Sequence, residues 1–261
     1  MMVEWIKKLT AWIFGVLGIT GHFYRETYKD PNVIRIINYH RTPVNELKTF
    51  EKQLKWYKTQ FRNIDEKSFY AFMNKEIVLD KPGVILSFDD GLLNNYELAL
   101  PLLEKYGFTG WMMVSAGNAD GTEYMTYEQM QDVLERGHVI GCHTFTHHRM
   151  SEEDTDEILQ KEIADARMML EDHLQTSIRI FTWCGGEEDT YTGKAQEYIR
   201  RYYDYGFMTN SDLVTPDTDH YHIQRTNVEA RWPLALAKFQ LSGLMDRLYK
   251  EKRERVNQKT K

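Results

Sequence analysis

The chain has 261 residues, 42% of them hydrophobic, which is enough for one large buried core. Its formal net charge of −6 is scattered along the sequence. No basic footprint precedes the extreme C-terminus, which excludes a nucleic-acid partner. Two cysteines, Cys142 and Cys184, are too few for a disulfide framework, and the 13% aromatic content reads as core packing.

The first element is an apolar, helix-forming stretch. No formal charge lies between Leu9 and Tyr24, but the run is shorter than the ~20 residues a spanning helix needs. On a helical wheel Trp5, Ile6, Leu9, Trp12, Ile13, Val16, Leu17 and Ile19 share one face, with Lys7, Lys8, Ala11, Gly15 and Gly18 away from it. That is the pattern of an interfacial amphipathic helix, with a signal or anchor segment and a helix docked on the domain as alternatives.

Strand-like runs follow at 33–39, 84–88, 110–114, 138–143 and 178–183, with weaker ones at 206–209 and 221–225. Between them, Leu98, Leu102, Leu103 and Tyr106 share a helix face, and Thr126 with Gln129 forms a capping box. Ser151 and the acidic residues after it are read as the start of a helix bearing Leu159, Ile163, Ala166, Leu170 and Leu174. Alternating strands and helices predict an α/β fold with a mostly parallel sheet, and seven strands point to a barrel. A last helix is expected from Pro233 through Leu248, followed by a frayed basic tail carrying Lys250, Lys252, Arg253, Arg255, Lys259 and Lys261. The expected organisation is an amphipathic segment over 1–30, a catalytic domain over 31–230, and a C-terminal helix with basic tail over 231–261.

Two stretches carry the chemistry. In Ser87-Phe88-Asp89-Asp90-Gly91 an apolar strand runs into two carboxylates and a turn-permitting glycine, at the strand end where α/β proteins place their sites. In Gly141-Cys142-His143-Thr144-Phe145-Thr146-His147-His148 two histidines four residues apart follow another apolar strand. One aspartate and two histidines suit zinc or another first-row divalent ion with positions left open. Adjacent aspartates on an extended segment point in different directions, so one can hold metal while its neighbour acts on water. The alternative is that both cap the helix after Gly91.

Together these stretches resemble the first two motifs of the polysaccharide deacetylase family, the NodB-homology or family 4 carbohydrate esterases. The likeness runs from about Val33 to Arg225, and Tyr39-His40-Arg41 is most similar to the branch containing the poly-N-acetylglucosamine deacetylases. The resemblance implies a distorted (β/α)7 barrel, Asp89 as general base, and Asp90, His143 and His147 as metal ligands. The family's third motif, an arginine, a proline and an aromatic residue before glycine, falls on Phe181-Thr182-Trp183-Cys184-Gly185-Gly186. Arginine and proline are absent, and Gly185 stands where the ring would be. A Gly185 amide remains a candidate to hold an oxyanion, and Arg225 is the candidate for the missing cation. The late histidine motif has no clear counterpart, which leaves His222 and His40 as candidates to protonate the departing amine. His138, His148, Cys142 and Cys184 are read as structural, with a soft third metal ligand as the alternative for the cysteines.

The expected function is metal-dependent removal of acetyl groups from N-acetylated amino sugars of a polysaccharide or lipid-linked glycan. Zinc is the expected metal, with cobalt or nickel as alternatives. A catalytically impaired glycan-binding or scaffold protein and an O-deacetylase are the rival readings. Cysteine usage and the lack of a convincing cleavage site favour the cytoplasm, and the N-terminal amphipathic stretch favours peripheral membrane contact, with a secreted or anchored location as the alternative.

Overall fold

In the computed structural model, which describes residues 2–259, each buried strand run of the sequence becomes one stave of a parallel barrel. β1 (Ile34–Tyr39) is followed by a two-residue β2 (Arg62–Asn63) and then by β3 (Gly83–Phe88), β4 (Gly110–Val114), β5 (Val139–Cys142), β6 (Ile180–Thr182) and β7 (Tyr205–Met208). β1 pairs with β3, and β3 to β7 pair in sequence order. β2 lies beside the first residues of β3. The seventh stave is a single extended segment in two parts. β8 (Ile223–Gln224) pairs with β7 and β9 (Thr226–Asn227) pairs with β1, so the chain itself bridges the two open edges at Arg225.

Strand side chains alternate inward and outward. Ile34, Ile36, Ile85, Trp111, Met113, Val139, Ile180, Phe207 and Ile223 fill the barrel, while Ile37, Tyr39, Val84, Leu86 and Phe88 meet the surrounding helices. The same parity carries Asn38, Ser87, Asp89, His143, Cys184 and Arg225 to the C-terminal mouth, where all are buried. A dry apolar floor therefore lies beneath a polar top layer. Phe69 closes the opposite end, with its ring 5.4 Å from that of Trp111 and 5.0 Å from that of Tyr205.

Helices α1 (Met2–Val16), α2 (Ile19–Thr27), α3 (Leu47–Gln60) and α4 (Glu66–Met73) precede β3, and Phe69 belongs to α4. After it come α5 (Leu100–Tyr106), α6 (Tyr127–Glu135), α7 (Asp156–Leu159), α8 (Ala166–Leu174) and α9 (Gly193–Tyr202). The Thr126–Gln129 capping box opens α6 as expected. Ser151 does not cap a helix; it forms a turn with Asp154, and Thr155 caps α7 instead.

The expected single C-terminal helix is broken. Gly243, at φ +87°, separates α10 (Leu234–Gln240) from α11 (Leu244–Leu248), and α12 (Lys250–Gln258) follows. The basic tail is docked rather than frayed. Val256 is fully buried, Arg253 donates to the carbonyls of Asn210 and Ser211, and Lys259 donates to those of Glu188 and Tyr191. Lys261 lies outside the described residues. Among the described residues, no helix is long and apolar enough to cross a membrane.

Candidate active site

At the end of β3 the backbone leaves the sheet through two successive left-handed residues, Asp90 at φ +77° and Gly91 at φ +74°. Aspartate tolerates this conformation better than most residues, and glycine is needed after it. A Cβ on Gly91 would lie 3.0 Å from Cγ1 of Val114. The turn separates the two carboxylates. Asp89 points into the barrel mouth, and Asp90 swings toward the loop after β5. Among the described residues neither accepts a hydrogen bond from a backbone amide after Gly91, so they do not cap that segment.

The β5 loop contains two more left-handed positions, Thr144 at φ +63° and His147 at φ +64°. Such outliers persist only where surrounding contacts over-determine them. Here the buried Glu162 carboxylate accepts from the Phe145 and Thr146 amides, at 3.0 and 2.9 Å, and from the Thr146 hydroxyl at 2.7 Å. His143 Nδ1 lies 2.9 Å from the Thr182 carbonyl, a contact that makes Nδ1 the protonated nitrogen and leaves the Nε2 lone pair free.

Asp90 Oδ1 is shielded from solvent and has no well-formed hydrogen bond. Nε2 of His147 lies 3.2 Å from it and Nε2 of His143 lies 3.7 Å away. Metal–nitrogen and metal–oxygen bonds near ~2.1 Å put neighbouring ligand atoms at about this separation. An orphaned carboxylate oxygen facing two imidazole nitrogens therefore fits a divalent ion. Burial pushes the His143 pKa down, toward the neutral form a ligand requires, whereas the adjacent Asp90 carboxylate raises that of His147.

Cys184 Sγ is also within 4.8 Å of donor atoms on both histidines. It lies 3.6 Å from Nε2 and 3.7 Å from Nδ1 of His143. Near-equal distances put the sulfur over the imidazole face rather than along the Nε2 lone pair. The geometry thus supports packing for Cys184 rather than ligation, and burial holds its thiol protonated.

Asp89 is clamped by Arg225. Nη1 donates to Oδ1 at 2.5 Å and Nη2 to Oδ2 at 2.9 Å, with both side chains buried. Burial alone would raise the Asp89 pKa, but the Arg225 guanidinium and then His143 lower it to about 2. Arg225 is itself held by Asn38 Oδ1 at 3.0 Å, Ser87 Oγ at 3.3 Å and the Met208 carbonyl at 3.2 Å. Asn38 also donates to Asn227 across the β1–β9 seam.

These groups line a recess of about 180 Å³ with His40, Arg149, Gly185, Glu187 and Thr209. His40 follows β1 to the same mouth, close enough for its charge to act on both aspartates. Gly185, at φ +93°, leaves no room for the ring its motif position implies. A Cβ there would lie 2.6 Å from the Thr190 hydroxyl and 3.3 Å from Arg149. His222 is not brought to this recess. It contacts Tyr191 at 3.1 Å and Asp219 at 3.5 Å and lines a separate surface pocket with Arg253 and Asn257. Sequence reasoning overlooked Asn38, Glu162, Arg149 and Thr209, and only the position of Asn38 two residues before His40 was a usable signal.

Residues 77–203 match the family model for polysaccharide deacetylase. Over 182 residues the chain is 26% identical to YxkH of Bacillus subtilis (strain 168), named as a polysaccharide deacetylase, covering 69% of this chain and 64% of that protein. It is 22% identical over 189 residues to the poly-beta-1,6-N-acetyl-D-glucosamine N-deacetylase of Staphylococcus aureus (strain MRSA252), covering 67% and 64%. The chain thus spans a little under two thirds of the length of these curated relatives. In fold it is similar to the Streptococcus pyogenes deacetylase PplD, solved in complex with acetate, with a TM-score of 0.70, 21% identity and coverage of 81% of this chain and 99% of that one. IcaB from Ammonifex degensii gives a TM-score of 0.68 at 22% identity, covering 80% and 97%. With its two leading motifs at one barrel mouth, the chain is similar to the polysaccharide deacetylases: residues 77–203 match their family model, and the barrel fold is shared with solved deacetylases.

Proposed function

We propose that this protein is a divalent-metal-dependent hydrolase that removes the acetyl group from N-acetylated amino sugars of a glycan. The observation that carries the reading is the unpartnered Asp90 Oδ1 facing His143 and His147, beside an Asp89 fixed by Arg225. The name of the Staphylococcus aureus relative supports an amino-sugar substrate. Asp90, His143 and His147 would hold the ion, and their mixed nitrogen and oxygen set suits zinc, cobalt or nickel. When bound, the ion supplies the Lewis acidity that makes a water acidic enough for a carboxylate of low pKa to take its proton.

The chain's own residues provide the rest. Asp89 is ionised and oriented by Arg225, and it accepts the proton as the water oxygen bonds to the acetyl carbon. The carbonyl electron pair moves to oxygen, where the Gly185 amide at the recess wall is the candidate donor. His40 protonates the nitrogen as the carbon–nitrogen bond breaks, giving acetate and a free amine.

The test is acetate release from N-acetylglucosamine oligomers and lipid-linked N-acetylhexosamines, using chelated protein with zinc, cobalt or nickel restored. Metal-dependent acetate with an equal yield of amine is expected. Stoichiometric metal binding without acetate would favour an impaired glycan-binding protein, the rival prompted by Trp183-Cys184-Gly185 in the third motif. Acetate without amine would make it an O-deacetylase.

A further inference from the structure

The catalytic recess leaves the N-terminal helices unused, and they present an uncommon surface. α1 lies on α10 through Ala11, which is buried, and through Phe14, whose ring meets that of Phe239 edge-on at 5.6 Å. A helix docked in this way ordinarily turns a polar face outward. α1 and the residue after it do the reverse. Trp5, Leu9, Trp12, Ile13, Val16 and Leu17 recur at helical spacing on the side opposite Ala11 and Phe14, and exposure reaches 64% for Trp5, 61% for Trp12, 68% for Val16 and 66% for Leu17.

A groove of about 460 Å³ runs beside this face, between α1 and α2 on one side and α3 and α10 on the other. Its lining includes Arg25 and Lys238 and no carboxylate, in a chain whose net charge is −6. The Lys238 ammonium stands 5.4 Å from the Trp56 ring centroid, which leaves its charge at the groove edge. Thr20, 8% exposed, also lines the groove, and its hydroxyl has no hydrogen-bond partner among the described residues. Helical spacing puts Lys8 between the groove residue Gly15 and Trp12, so cationic groups border the apolar face on the groove side.

We propose that this face is a membrane-docking surface: α1 lies in the interface of a bilayer containing anionic lipid, with Arg25 and Lys238 meeting the headgroups. The 15-residue helix is ~22 Å long, too short to span the ~30 Å hydrocarbon core but suited to lying in the interface plane. Indole rings favour that depth, where their apolar bodies are buried and their N–H groups stay wet. A two-fold dimer through the same face would bring its basic border toward itself, a like-charge arrangement that a lipid surface avoids. Trp56 and Gln60 lie in the C-terminal half of α3, toward the N-terminal ends of the strands, so docking here leaves the recess at the other end open. The inference does not depend on the deacetylase reading.

The experiment is co-sedimentation of the full chain with vesicles of phosphatidylcholine alone and with 30% phosphatidylglycerol, at low and high salt. Binding to the anionic vesicles is expected, at least tenfold weaker on neutral ones. Trp5→Glu with Trp12→Glu should reduce it at least tenfold, and Arg25→Glu with Lys238→Glu should reduce it several-fold and flatten the salt dependence. All four side chains lie outside the core, and unchanged circular dichroism and thermal midpoint identify folded variants. Equal recovery of wild type in the supernatant with both vesicle types overturns the proposal. So does light scattering that shows a dimer which Trp5→Glu with Trp12→Glu converts to monomer, because the face is then covered by a second copy.

Discussion

The guanidinium of Arg225 grips Asp89 through two hydrogen bonds, at 2.5 and 2.9 Å, across 136 residues of sequence. Arg225 sits where the last extended segment changes partner from β7 to β1, so one residue closes the barrel and orients the candidate base. Truncation would leave a buried carboxylate without its counter-charge, a loss of about 3–5 kcal/mol. Arg225→Ala should lower the urea midpoint accordingly, and Arg225→Lys, with one charge and no planar fork, should recover only part of it. Wild-type stability in Arg225→Ala would refute this account of the pair.

Substituting Asp89 and His143 in turn should separate the role of the base from that of a metal ligand. Asp89→Asn should lower acetate release by about 10²–10⁴-fold while retaining metal, as expected for loss of a general base. His143→Ala should lose both metal and activity. Calorimetric titration with zinc is the deciding readout, and loss of metal in Asp89→Asn would overturn the assignment.

The two candidate acids are now unequal. His40 lines the recess, whereas His222 is engaged by Tyr191 and Asp219 elsewhere. His40→Ala should lower kcat by about 10²-fold or more with metal content unchanged. His222→Ala should leave kcat within about twofold. The reverse ranking would return His222 to the mechanism.

Gly91 combines a left-handed backbone with a close neighbour, so Gly91→Ala carries two penalties. Strain at φ +74° and the approach to Val114 should together cost about 1–3 kcal/mol. Adding Val114→Ala removes the Cγ1 contact but leaves Cβ of residue 114 at 3.1 Å, so it should recover only part of the loss and keep the backbone strain. Denaturant unfolding of the two single variants and the double variant measures the split. A Gly91→Ala protein as stable as wild type would show that the loop adapts freely.

A second buried ion pair ties the termini together. Arg35 donates to both oxygens of Asp246, at 2.9 and 2.7 Å, joining β1 to α11. Burial alone would raise the Asp246 pKa, but Arg35 and Ser211 bring it below the usual carboxylate value. A depressed folded-state pKa contributes stability that is present above the unfolded value of ~3.9 and lost as pH falls through the folded value. Asp246→Asn should therefore be less stable than wild type at pH 6 and show a shallower loss of stability below pH 4. Parallel acid titrations of the two proteins, followed by circular dichroism, test the sign.

Local pattern was enough to read the staves and to single out Asp90, His143 and His147, which the fold brings together. Runs such as Val84-Ile85-Leu86 can only be strands covered on both faces, and a carboxylate pair or a His-x-x-x-His spacing is a short-range feature that survives any packing detail. The Thr126–Gln129 box was legible for the same reason, because its hydrogen bonds span three residues. What the sequence could not decide was which distant residues meet. Nothing local distinguishes Arg225 from a surface cation, or His40 from His222. That choice depends on barrel closure, which sets strand parity at the mouth and brings 38, 89, 143 and 225 into one layer. Likewise, α1's apolar stripe was plain from its spacing, but whether it faced the core or solvent was settled by Ala11 and Phe14 packing on α10. Amphipathic periodicity specifies a face; only tertiary contacts specify what that face meets.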